Sequence, residues 1–171
     1  MPVHRRARSR SYRHPLPLSF GSEGFSVWLP PADDPWTLAN FGEAAGLALE
    51  ALEMDVAREL LVLLDERRTV TAIVIDPPGP VGVFVGWAQV PGLEVPFCQT
   101  ISITIVDRVR VTPPTRADRE GYQSLRRLHM LQGLQLLDVI LVDGEHVQSL
   151  AIACDPDPIW FEPFDPLEPS D

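Results

Sequence analysis

Lysine is missing from this sequence: all 14 of its basic residues are arginine. Schiff-base enzymes and P-loop nucleotide-binding proteins both depend on a lysine amine, so both classes of protein are excluded. A composition rich in Arg, Ala, Pro, Val and Gly is typical of a GC-rich genome. The arginine bias by itself therefore indicates no function.

Cysteine and long apolar runs are also scarce. Cys98 and Cys154 are the only two cysteines, they lie far apart, and no CxxC motif is present. This spacing excludes a zinc ribbon and favours a reduced, cytoplasmic chain. The longest apolar candidate, VGVFVGWA at 81–88, has eight residues. Because a membrane-spanning helix needs about 18, we expect a cytoplasmic protein without membrane contacts.

Histidine does not occur between residues 15 and 128. The spacing of the four histidines forms no metal-binding pair, and no metal or cofactor is expected. We expect His129 to be a surface or partly packed residue of a helix and His146 to be a solvated residue of a hairpin. Both cysteines are expected to be buried and structural.

Charge is distributed unevenly along the chain, whose formal net charge is −10. Residues 1–22 carry no acid, whereas all 24 acids and the other nine arginines follow. The acidic part repels nucleic acid, so phosphate could be attracted only by the N-terminal arginines. A solvated arm and a nucleic-acid contact both remain open for these residues: Arg5, Arg6, Arg8, Arg10 and Arg13.

The length of 171 residues and the hydrophobic fraction of 45% predict one domain with a real core. Many of the 18 prolines lie near the two ends. We therefore expect a basic, Pro-rich and partly disordered extension over 1–35, a folded domain over 36–153 and an acidic, Pro-rich tail over 154–171. A stretch near FSVWLP in the extension is expected to pack.

Hydrophobic periodicity predicts an α/β domain in which a single mixed β-sheet is flanked by helices. An apolar stripe at i, i+3, i+4 spacing predicts a helix over 35–55. The apolar run ELLVLLD and the alternating, β-branched run TVTAIVID predict a hairpin of central strands over 57–76. Residues 81–90 are interpreted as a helix that begins after Pro80, while their valine content keeps a strand open as the alternative. The alternation at 99–111 predicts a strand.

The clearest helix spans 114–134. Thr115 and Asp118 have the spacing of a capping box, and Gly133 is a plausible C-cap. An Asp-Gly turn then separates two predicted strands within 134–153.

This second half of the chain resembles the RadC-like branch of the JAB/MPN (JAMM) metalloprotease superfamily. PTRAD at 114–118 is similar to the Pro-Ser-x-x-Asp with which the family opens a helix. Over about forty residues the remaining matches follow at the family's distances: Leu136, Leu137, Asp138, Val142, Gly144 and Ser149. The resemblance implies a JAB/MPN-like, cytidine-deaminase-like fold.

The resemblance also implies a zinc site, held in the family by His-x-His and an Asp, with a Glu as general base. Counting back from Asp118 places the two histidine positions at Ile105 and Asp107. The upstream Glu has no clear counterpart; Asp76 is the nearest acid at the end of a comparable strand. Asp107, Thr115, Asp118 and Asp76 are therefore interpreted as positions of a vestigial site without catalytic residues.

Catalytic zinc needs three protein ligands and an open position for water, and two carboxylates alone make a poor zinc site. Our hypothesis is a RadC-like pseudoenzyme that binds an unidentified protein or peptide. The first alternative is a metal-dependent hydrolase or isopeptidase with replaced ligands. The second is a nucleic-acid-associated protein that uses the arginine-rich N-terminus.

Overall fold

The computed structural model describes residues 18–19, 26–30, 33–52, 59–75, 97–110 and 113–155. The helix that the sequence predicts over 81–90 lies outside these residues.

One mixed sheet of seven strands organises the described residues. Its strands lie in the order β1-β2-β4-β3-β5-β6-β7, and only the β5–β6 pair is parallel. The strands are β1 Leu18–Ser19, β2 Ser26–Trp28, β3 Glu59–Leu64, β4 Val70–Ile75, β5 Gln99–Ile105, β6 Gln135–Val142 and β7 Val147–Ser149. The predicted α/β class with a mixed sheet is confirmed.

Three helices are described: α1 Phe41–Ala51, α2 Arg116–Leu131 and α3 Leu150–Cys154. Because β5 and β6 are parallel, a crossover must connect them, and α2 is that crossover. Because α2 returns the chain so that β6 runs in the same direction as β5, the carboxyl ends of both strands lie at one edge of the sheet.

The β3–β4 hairpin is central in the sheet, as predicted from the apolar run ELLVLLD and the alternating, β-branched run TVTAIVID. Leu60, Val62 and Leu64 of β3 belong to the main hydrophobic cluster, while Leu61 and Leu63, on the opposite face, are also buried. A strand that is buried on both faces cannot show the alternation of a half-exposed strand.

Helix α1 begins later than the sequence predicts. Residues 36–38 continue as extended chain beside the β3–β4 turn: the Trp36 carbonyl accepts a 2.7 Å hydrogen bond from the Val70 N–H, and the Leu38 N–H donates to the Arg68 carbonyl at 2.9 Å. Asn40 then caps the helix. The prediction of helix from residue 35 is wrong because these long-range hydrogen bonds replace helical ones.

The predicted second strand of 134–153 is also shorter in the structure. β7 ends at Ser149, whose hydroxyl accepts a hydrogen bond from the Ile152 N–H and caps α3. At the other end of the chain, the packed stretch expected near FSVWLP is β2, which pairs with β4. Trp28 at the end of β2 is buried, and its ring lies 4.6 Å from that of Trp36 between centroids.

Candidate functional site

The carboxyl ends of β5 and β6 form the edge where open α/β sheets usually bind ligands. Two hydrogen bonds join the loops that leave these strands: the Val106 N–H donates to the Val142 carbonyl at 2.9 Å, and the Val109 N–H donates to Asp143 Oδ2 at 2.7 Å. The loop after β5 leads to α2, whose first turn carries Thr115 and Asp118. The vestigial-site residues that the structure describes therefore lie on the loop after β5 and on the first turn of α2.

Asp118 takes part in a complete capping box at the start of α2. Its Oδ2 accepts hydrogen bonds from the Thr115 N–H at 2.8 Å and the Thr115 hydroxyl at 2.9 Å, and the Asp118 N–H donates to Thr115 Oγ1 at 3.2 Å. The Arg110 guanidinium lies 3.6 Å from the same Oδ2. The hydrogen bond from the Thr115 backbone, the one from its hydroxyl and the Arg110 charge lower the pKa of Asp118.

The two positions that the resemblance assigns to histidines differ in environment. Ile105 ends β5, is half-buried and packs against the hydrophobic cluster. Asp107 lies two residues later in an exposed bend. An isoleucine side chain has no donor atom for a metal, so Asp107 and Asp118 are the only carboxylates left among the described site positions. The predicted Asp76 and the five N-terminal arginines lie outside the described residues.

Among the site positions that the structure describes, Asp107 and Asp118 supply too few ligands for catalytic zinc. A catalytic zinc ion needs three nitrogen, sulfur or oxygen ligands from the protein, and the position of Ile105 supplies none. Within the described ranges, no group of three or more His, Cys, Asp and Glu side chains could hold a metal ion.

Asp138 and Ser149, two residues that carry the resemblance, connect β6 to α3. Asp138 is fully buried. Its Oδ2 accepts a 2.5 Å hydrogen bond from the Ser149 hydroxyl, and its Oδ1 accepts one of 2.9 Å from the Ala151 N–H. A buried carboxylate is tolerated only where such partners replace water. This pair anchors the short α3 to the sheet, which is a structural role.

Asp143 is the organising residue of this edge that the sequence analysis missed. Its carboxylate accepts hydrogen bonds of 2.7 Å from the backbone N–H groups of Val109, Glu145 and His146. The bond from Val109, followed by that from Glu145, contributes most to lowering the pKa of Asp143 to about 2. The Asp-Gly pair was interpreted only as a turn, although an Asp that opens a turn often accepts from the backbone N–H groups that follow.

His129 departs from its prediction. It is buried in the last turn of α2, and its Nδ1 lies 2.7 Å from the Thr100 hydroxyl on β5. Burial lowers the pKa of His129 to about 4. The expected surface or partly packed histidine is wrong, because α2 turns this side chain onto the sheet between the exposed Leu128 and Met130.

The other histidine and cysteine predictions have mixed outcomes. His146 is exposed, as predicted, with its Nδ1 3.5 Å from Asp143 Oδ1. Cys98 is exposed and Cys154 is partly exposed, so the prediction of buried cysteines is wrong. Cys98 precedes β5 and its N–H donates to the Leu64 carbonyl, so its backbone joins the sheet while its side chain faces outward.

Comparisons with known proteins assign no family to the chain. No family model matches the chain, and no curated protein matches it. Within the part of the chain that the structure describes, no helix is long and apolar enough to cross a membrane.

Proposed function

We propose that the chain is a cytoplasmic, RadC-like JAB/MPN pseudoenzyme that binds a protein or peptide without metal catalysis. The observation that carries the proposal is the environment of Asp118, the one carboxylate that the resemblance assigns to the metal. Its Oδ2 accepts two hydrogen bonds from Thr115 and faces Arg110 at 3.6 Å. A cationic guanidinium beside the oxygen opposes the approach of a second cation.

The strand end supports the same conclusion. In the resembled family a strand delivers two imidazoles on alternate residues. The matching positions here are Ile105, the last residue of β5, and Asp107 in the bend that follows. Ile105 packs against the hydrophobic cluster, so its side chain contributes to stability. A carboxylate at Asp107 cannot replace the two neutral nitrogen ligands.

The binding role follows by analogy with MPN relatives that lack metal ligands and serve as scaffolds. The paired loops after β5 and β6 favour a preserved cleft edge, because Asp143 fixes the loop after β5 through the Val109 N–H. We propose this edge as the place where a peptide binds without a metal ion.

The experiment that tests this proposal rebuilds the ligand set. In an Arg110→Gln background shared by all the variants compared, which removes the guanidinium beside Asp118, the double substitution Ile105→His and Asp107→His supplies the His-x-His at the positions where the resemblance requires it. The purified full chain is incubated with zinc, freed of unbound metal by gel filtration and analysed for zinc by elemental analysis. We expect about one zinc ion per chain in the double variant and its loss when Asp118→Ala is added.

The matched control is Ile105→Asn with Asp107→Asn, which places polar side chains without imidazoles at the same two positions. Circular dichroism shows that each variant has the fold of the unchanged chain. A folded double histidine variant that binds no more zinc than the asparagine control would contradict the vestigial-site proposal.

A further inference from the structure

The last turn of α2 carries an exposed patch that combines apolar and basic side chains. Met130 is 69% exposed and Leu131 is 79% exposed. Arg126 and Arg127 precede them by four residues each, so the two arginines lie one turn below the two apolar side chains on the same side of the helix. We define these four residues as the α2 end patch.

The chain leaves α3 beside this patch. Asp155 follows the last residue of α3, and its Oδ2 lies 3.4 Å from the Arg126 guanidinium. The Arg126 guanidinium also lies 5.7 Å from the centre of the Tyr122 ring, which holds it on this side of α2. Residues 156–171 lie outside the described residues. Because Asp155 contacts Arg126, this segment begins next to the patch.

The composition of residues 156–171 is complementary to the patch. The segment has five acids and no basic residue. It also has five large apolar side chains: Ile159, Trp160, Phe161, Phe164 and Leu167. An acidic and aromatic segment suits a surface on which two arginines lie one turn from a methionine and a leucine, since rings pack against methionine sulfur and carboxylates pair with guanidinium groups.

We propose that the C-terminal segment 156–171 docks on the α2 end patch of its own chain. The segment has 16 residues, and an extended chain spans up to about 3.3 Å per residue. It is therefore long enough to reach along the 16-residue α2, which rises by about 1.5 Å per residue. The attachment at Asp155 makes the association intramolecular, which raises the effective concentration of the segment at the patch.

A second copy of the chain fits the patch less well. Two α2 end patches that faced each other would gather four arginines in one interface without an acid from the patch to balance them, and like charges close together oppose association. The acidic segment instead places opposite charges together. The inference does not depend on the proposed function.

Methionine NMR on the intact chain tests the docking. The sequence has three methionines, Met1, Met54 and Met130, so methyl labelling gives three signals, and Met130→Leu identifies the third. Aromatic rings that pack on Met130 displace its methyl resonance through ring currents. We expect this displacement to be lost when Trp160, Phe161 and Phe164 are all replaced by alanine, with the Met1 and Met54 resonances unchanged.

A charge reversal on α2 gives a second test, which leaves the sequence of segment 156–171 unchanged. Arg127→Glu is expected to shift the Met130 resonance in the same direction, because it repels the acidic segment. Arg127 is exposed, so the change spares the core. Arg108→Glu is the matched control: Arg108 is exposed and follows β5, at the opposite end of the sheet from the last turn of α2.

Two results would overturn the inference. A Met130 resonance that neither the alanine variant nor Arg127→Glu moves shows that the segment is not docked there. A resonance that moves with protein concentration shows that a second copy occupies the patch. The expected result is a displacement that is independent of concentration and sensitive to both changes but not to Arg108→Glu.

Discussion

The Ser149 hydroxyl donates a 2.5 Å hydrogen bond to the fully buried carboxylate of Asp138. The same hydroxyl oxygen accepts from the Ile152 N–H and thereby caps α3. One side chain therefore satisfies a buried acid on β6 and holds the first turn of the following helix.

Replacing Ser149 with alanine removes both interactions. The Asp138 carboxylate loses one buried partner, at a cost of about 1–3 kcal/mol, and the cap contributes about a further 1 kcal/mol. We expect the urea midpoint of unfolding to fall accordingly, without a change in slope. Ser124→Ala is the control, since Ser124 is exposed on α2; an equal midpoint for the two variants would contradict the role of Ser149.

The Asp143 carboxylate makes stability depend on acidity. Its pKa is lowered from 3.8 to about 2 in the folded chain, above all by the hydrogen bond from the Val109 N–H. The unfolded chain therefore binds a proton at Asp143 more readily than the folded chain does. The stabilisation is present above about pH 4 and is lost as the pH falls towards about 2.

Asp143→Asn is expected to remove part of that acid dependence, because the amide carries no charge to protonate. Urea unfolding measured between neutral pH and about pH 2 checks this expectation. Asp107→Asn, in the exposed bend after β5, is the control that changes the same net charge. Parallel curves for the unchanged chain and Asp143→Asn would show that the three backbone N–H groups do not favour the ionised carboxylate.

His129 predicts a second dependence at higher pH. Its burial lowers the pKa from 6.5 to about 4, so the folded chain keeps the imidazole neutral where the unfolded chain already binds a proton. Stability is complete above about pH 6.5 and declines as the pH falls towards about 4. We expect His129→Gln, which cannot titrate, to flatten the urea-unfolding curve in this window.

The exposed His146 supplies the matched control for this measurement. His146→Gln should leave the decline between about pH 6.5 and about pH 4 in place. If His146→Gln flattens the curve and His129→Gln does not, the burial of the His129 imidazole is not the source of the dependence.

The elements that the sequence predicted well are those with a strong local signal. The apolar run and the β-branched run of 57–76 predicted β3 and β4, and the apolar stripe with the Thr115 and Asp118 spacing predicted α2 and its capping box. In these segments the local preference of the chain and its environment in the sheet agree.

The failures occur where distant residues decide. Trp36 and Leu38 are extended because the β3–β4 turn supplies their hydrogen bonds, and His129 is buried because Thr100 lies opposite it on β5. The role of Asp143 depends in the same way on Val109, 34 residues earlier in the chain. Periodicity along the sequence contains no information about such partners.

The candidate site was predictable in part. The sequence alone showed that imidazoles are missing at positions 105 and 107 and that Thr115 and Asp118 are spaced as a cap. It did not show that Arg110 approaches Asp118 Oδ2, because that contact depends on the path of the loop between β5 and α2.

The zinc content of the unaltered chain tests the central claim most directly. The purified full-length protein is incubated with zinc, separated from unbound metal and analysed together with Asp118→Ala. We expect far less than one zinc ion per chain in both proteins, because Ile105 offers no ligand and Arg110 opposes a cation at Asp118. One zinc ion per chain that disappears with Asp118→Ala would contradict it.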